Sequence, residues 1–149
     1  ILIEIIETAK PLLELILSKY LVNSKNLNKK QKKLIRNKPY VWGYINTLVD
    51  SISKSHIKDQ LTNRHLSLLA SHQIYSAIFL VDNETAKNEY AMIFENIKKD
   101  ELNKNEFAHG ISECEFDLEK MKVKEPNKLT PLNGLNVYLL KKYKEINEI

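Results

Sequence analysis

ILIEIIETAKPLLELILSKYLV, residues 1–22, is the stretch whose reading decides the fold class. Leu2, Ile6, Ala9, Leu13, Ile16 and Tyr20 recur at spacings of four and three, and Ile5, Leu12 and Leu17 widen the stripe. A strand would alternate with period two. This spacing gathers the apolar side chains on one helical face, in a heptad-like seam. Glu4, Glu7, Lys10 and Glu14 break the apolar run, so it falls short of the roughly 20 residues a membrane span needs. It also lacks the basic start and small-residue cleavage site of a signal peptide. Pro11 stands inside the pattern and removes one helical hydrogen bond, which predicts a kink or break between Glu7 and Leu12 with both halves buried. The helical pattern is already under way at Leu2, with no capping residue before it and Ile rather than Met at position 1. The expectation is a parent protein that began earlier.

The same periodicity continues outward. Val41, Tyr44, Ile45, Leu48, Val49 and Ile52 mark a second helix, beyond a polar, basic stretch, Asn23 to Lys38, that Pro39 ends. A third runs from about Ile57 to Val81, with Leu61, His65, Leu68, His72, Tyr75 and Phe79 as its inward stripe. Asp82 and Asn83 read as a stop followed by an N-cap. Ala86, Tyr90, Ile93 and Ile97 mark the next helix, and Phe107, Ile111, Cys114, Leu118 and Met121 another. Thr130 before Pro131 predicts the start of a last helix, with Leu132, Leu135, Leu139, Tyr143 and Ile146 inward. The segment Lys122 to Lys128 reads as a loop. The sum is an all-α chain: an irregular bundle of about six helices in a single domain, 1–149.

Composition agrees. A chain of 149 residues buries about 70% of its unfolded surface, enough for a core without disulfides or a structural metal. Gly43, Gly110 and Gly134 are its only glycines. That is too few for the turns of an all-β fold or for a phosphate-cradling loop. The lone cysteine, Cys114, permits no internal disulfide and points to a reducing, cytoplasmic compartment. It lies on an apolar stripe among Glu113, Glu115 and Asp117, the setting of an inert thiol rather than a nucleophile.

Charge is distributed unevenly. No acidic residue falls between Leu15 and Val49, while Lys19, Lys25, Lys29, Lys30, Lys32, Lys33, Arg36 and Lys38 give that stretch +8. The rest carries 15 basic and 19 acidic residues, or −4. Lysines neutralise phosphate and release counterions. Tyr40, Trp42 and Tyr44 follow at once and could stack on bases. The opposing reading is a solvated basic loop or short helix. Only two of the 23 basic residues are arginine and 15 residues are Asn, a bias that AT-rich coding also produces.

Metal chemistry has few candidates. His65 and His72 are seven apart, roughly 10.5 Å along a helix, whereas zinc-binding helices use a one-turn spacing. Glu106 and His109 form a single Glu-x-x-His with Glu113 one turn on, half of what a di-iron bundle site requires. His65, His72, His109 and Glu113 are therefore the only metal candidates, and no metal or cofactor is expected. Without a catalytic constellation, the expectation is a non-enzymatic helical interaction module (an adaptor, inhibitor or regulatory subunit) whose partner is another protein. The alternative is a nucleic-acid-binding module using residues 25–38: Lys29, Lys30, Lys32, Lys33, Arg36 and Lys38, with Trp42. Leu27, Leu34 and Ile35 are thin apolar anchors for a lipid surface.

Overall fold

A computed structural model of the chain describes residues 2–16, 26–55, 57–121 and 134–147. These residues form seven helices and no strand. In chain order they are α1 (Leu2–Ile16), α2 (Lys29–Arg36), α3 (Pro39–Ser53), α4 (Gln60–Phe79), α5 (Asn83–Lys99), α6 (Glu101–Met121) and α7 (Gly134–Asn147). The helix beyond the six expected is α2, which the basic stretch forms on an Asn28/Gln31 capping box. The Thr130–Pro131 start signal, the loop 122–128 and Tyr20 lie outside the described residues.

Helix α3 is the hub. Pro39 occupies its first turn, where a missing N–H costs nothing. The run from Pro39 to Ile45 is buried without interruption, as in a helix surrounded on all sides. It packs against α1, α4, α5 and α6. Its closest neighbour is α6, and glycines set the approach. A Cβ on Gly43 would lie 3.2 Å from the Phe107 carbonyl carbon and well under 3.0 Å from its oxygen. One on Gly110 would meet the Tyr40 carbonyl in the same way. The backbones of α3 and α6 therefore touch at two reciprocal points.

Helix α1 buries Ile5, Ala9 and Leu13 against this core. Of the kink or break expected at Pro11, a break does not occur: one helix runs through it, with Ile5 and Ala9 buried before the proline and Leu13 after it. Pro11 and Glu7 both lie on the exposed side, so water can take the carbonyl that proline leaves without a donor. Helix α5 is capped by Asp82, whose carboxylate accepts from Thr85 N–H, one residue earlier than expected.

Helix α4 departs furthest from its expected orientation. Its second half buries Ile74, Tyr75 and Ile78. Its first half turns the other way: Leu61 is 78% exposed, Leu68 37%, and His65 also faces out. The fully buried residues there are polar, Asn63 and Ser67, with Leu66 half-buried against the core and Ala70 and Ser71 buried just beyond. The reason lies on α3. Ser53 Oγ is 2.6 Å from both Asn63 Oδ1 and Ser67 Oγ, and Asn63 Nδ2 donates to Asp50 at 2.9 Å. Buried polar groups need such partners, and this set fixes the helix rotation.

Candidate functional site

Three carboxylates line one face of α6 at helical spacing: Glu106, Glu113 and Asp117. A tyrosine hydroxyl donates to each. Tyr40 reaches Glu113 at 2.9 Å and Tyr44 reaches Asp117 at 2.7 Å, while Tyr138 of α7 hydrogen-bonds Glu106. Tyr40 and Tyr138 stack at 4.0 Å. Asp117 also accepts the Gly134 N–H at 2.9 Å, so the carboxylate caps the positive end of α7. Burial first, then the facing carboxylates, push the Tyr40, Tyr44 and Tyr138 hydroxyls above the ordinary tyrosine range. These phenols stay protonated and act as donors. The network ties α3, α6 and α7 together.

A second polar knot joins α2 to the core. Arg36 grips Glu89 of α5 with two bonds, Nε to Oε1 at 3.1 Å and a terminal nitrogen to Oε2 at 2.8 Å. Tyr75 donates to the same carboxylate at 2.7 Å, and Trp42 stacks on Tyr75 at 4.0 Å. Both charged side chains are almost wholly buried. Arg36 is therefore no part of an exposed cationic surface, contrary to its place in the expected basic site. A guanidinium, planar and suited to two-point carboxylate binding, is the residue for this position. Its standing alone among the lysines of that stretch was the available signal. Trp42 is fully buried, as are Tyr40 and Tyr44, so none can stack on a base.

The other cations of the stretch lie outside. Lys29, Lys30 and Lys33 are exposed, and Lys32 and Lys38 are half-buried. Among the described residues none of the five forms an ion pair, whereas Lys54, Lys98 and Lys142 each reach a carboxylate.

The metal candidates are not brought together. His109 Nε2 meets Glu113 Oε1 at 2.8 Å on α6, but the other Glu113 oxygen already holds Tyr40. His65 faces solvent and His72 faces the core. No group of three or more metal-ligating side chains converges among the described residues. His72 packs edge-on to Trp42 and Tyr90, and neither ring nitrogen has a hydrogen-bond partner. Burial, then the charge of Lys87, lowers its basicity. Cys114 is buried, and burial together with Asp117 and Glu115 raises its thiol above the ordinary range. Such a thiol is a poor nucleophile.

Beside the outward half of α4 runs a cleft of about 370 Å³. Asn46, Thr47 and Asp50 of α3, Arg64, Ser67, Leu68 and Ser71 of α4, Tyr90 of α5, and Ile111 and Glu115 of α6 line it. Arg64, the chain's other arginine, has no carboxylate partner among the described residues. No helix among the described residues is long and apolar enough to cross a membrane. No protein-family model, curated protein or solved structure matches the chain.

Proposed function

We propose that this chain is a non-enzymatic helical module that binds another protein, and that its contact face is the outward side of the first half of α4. One observation carries the reading: Leu61 and Leu68, two turns apart, are turned to solvent while the same helix buries Asn63 and Ser67. Apolar residues in a helical stripe ordinarily face a core. The Ser53–Asn63–Ser67 network holds this stripe outward, ready for a partner. Between the leucines lie Arg64 and His65, and α4 carries no acidic residue. The matching partner is an amphipathic helix whose apolar side covers Leu61 and Leu68 and whose carboxylate pairs with Arg64. The engagement of Glu106, Glu113, Asp117 and Glu89 in tyrosine and arginine contacts supports a binding role over a catalytic one. A buried, lone Cys114 supports a reducing, cytoplasmic setting.

The test is site-directed photocrosslinking in cells, with the reactive residue at Leu61 or, as control, at the exposed Glu95 of α5. A discrete protein adduct is expected from position 61 alone. Arg64→Glu should abolish it while helicity and melting temperature stay unchanged. No adduct, or the same adducts from both positions, refutes the reading.

A further inference from the structure

Helix α2 is built for exposure of positive charge. It carries four lysines and one arginine in eight residues, and only Ile35 and Arg36 are buried. The Arg36–Glu89 pair and the capping box hold the helix in place, so its remaining cations sit on a fixed platform. Lys29 and Lys33 are one turn apart, with Lys30 beside them. Lys29 and Lys30 stand in the first turn, at the positive end of the helix dipole, where cations are unfavourable and anions are stabilised. Like charges at this spacing also repel. No carboxylate relieves either effect among the described residues. Helix α7, which packs against α2, adds the exposed Lys141 and Lys144. A bound polyanion would relieve the repulsion on α2.

We propose that the exposed lysines of α2 bind the phosphate backbone of double-stranded nucleic acid without reading its bases. Tyr40, Trp42 and Tyr44 are buried, which removes the stacking platform a single strand would use. Lysines act as point charges without two-point geometry, and duplex backbone offers them the denser charge, one per roughly 1.7 Å. An anionic lipid surface fits less well, because Leu34 is the one exposed apolar side chain on α2. This inference concerns a different face from the protein contact on α4 and can fail independently of it.

The experiment measures binding of the full chain to a short labelled duplex of mixed sequence, to the matching single strand, and to phosphatidylserine vesicles. Three exposed lysines at about 0.9 counterion each predict a log–log salt slope of about −2.7, or about 40-fold weaker binding between about 50 and 200 mM salt. Changing Lys29, Lys30 and Lys33 together to Gln should remove that slope with helicity unchanged, since the three make no contacts to lose. The corresponding Arg variant keeps the charge and should bind as before. Leu61→Ser with Leu68→Ser should leave the slope intact. Absence of duplex binding at about 50 mM salt, a slope indifferent to the Gln variant, or tighter binding to the single strand or the vesicles overturns the proposal.

Discussion

Alanine at Gly43 or Gly110 tests whether the α3–α6 contact is the tightest joint of the fold. In an exposed helix Gly→Ala stabilises by about 1 kcal/mol, and burying one extra methyl in available space adds about 0.8 kcal/mol. Space is what these positions lack. The new Cβ would come well under 3.0 Å from a backbone carbonyl oxygen at either site, and a carbonyl cannot rotate away as a side chain can. The helices must part by about 1 Å, and overpacking of this kind costs about 1–3 kcal/mol. Separation also stretches the Tyr40–Glu113 and Tyr44–Asp117 bonds that cross the same joint. Breaking one to a charged group costs about 1.5–3 kcal/mol.

The sum favours net destabilisation of about 2 kcal/mol for either variant, after the gain in helix propensity. Melting should fall by about 4–8 °C for a chain of this size. Both substitutions push along one coordinate, so a single separation relieves both clashes. The double variant should therefore cost clearly less than the sum of the two, a coupling of at least about 0.5 kcal/mol. Urea unfolding followed by the fluorescence of Trp42, the chain's only tryptophan and a buried neighbour of Gly43, reads this directly. Stabilisation by either alanine, or strict additivity, would show that the close approach is not what the geometry says.

Two further predictions rest on the knot around Glu89. Glu89→Gln leaves a buried guanidinium without a counter-charge and should cost about 3–5 kcal/mol, whereas Arg36→Met with Glu89→Leu should recover most of that loss; denaturant titration of the two variants side by side decides it, and equal destabilisation would refute it. His72 has its basicity lowered by burial and then by Lys87, so it is neutral in the fold and charges more readily once unfolded. Its linkage leaves stability unaffected above the ordinary histidine value of 6.5 and erodes it as pH falls from there towards the lower folded value. A His72→Phe variant should lose that limb in a pH series of melting curves, and an unchanged limb would assign it elsewhere.

Much of the architecture is readable from local pattern. The stripes of α1, α5 and α6 place Ile5, Ala9, Leu13, Ala86, Ile93 and Cys114 inside, where they are found. In α7, Leu135 and Leu139 are likewise buried. These helices bury their most apolar face, and a window of one or two turns contains the whole signal. Helix α4 breaks that rule because its rotation depends on Asp50 and Ser53, residues of another helix whose contribution is a hydrogen bond. Arg36 escapes for the same reason, its partner lying 53 residues away. The glycines argue against a β fold by their number, but their positions carry more. Gly43 inside an apolar helical run is costly for the helix alone, which marks a close approach that only the tertiary structure reveals.

The alternative reading joins the basic segment 25–38 to Trp42 and its neighbouring rings, and the separation of the lysines from those rings originates at Pro39. Proline disfavours helical geometry in the residue before it, and Lys38 is extended, with φ −128° and ψ 142°. One helix therefore ends at Arg36 and another begins at Pro39, each with its own axis and its own inward face. On α2 the inward face is Ile35 and Arg36, which leaves Lys29, Lys30 and Lys33 to water. On α3 every side is inward as far as Ile45, which takes Tyr40, Trp42 and Tyr44 into the core. An uninterrupted helix would have kept lysines and rings in one register, and a single strand could have used both. The two-residue break separates them, sending the charges out and the rings in, and any anion the protein holds here is held by charge alone.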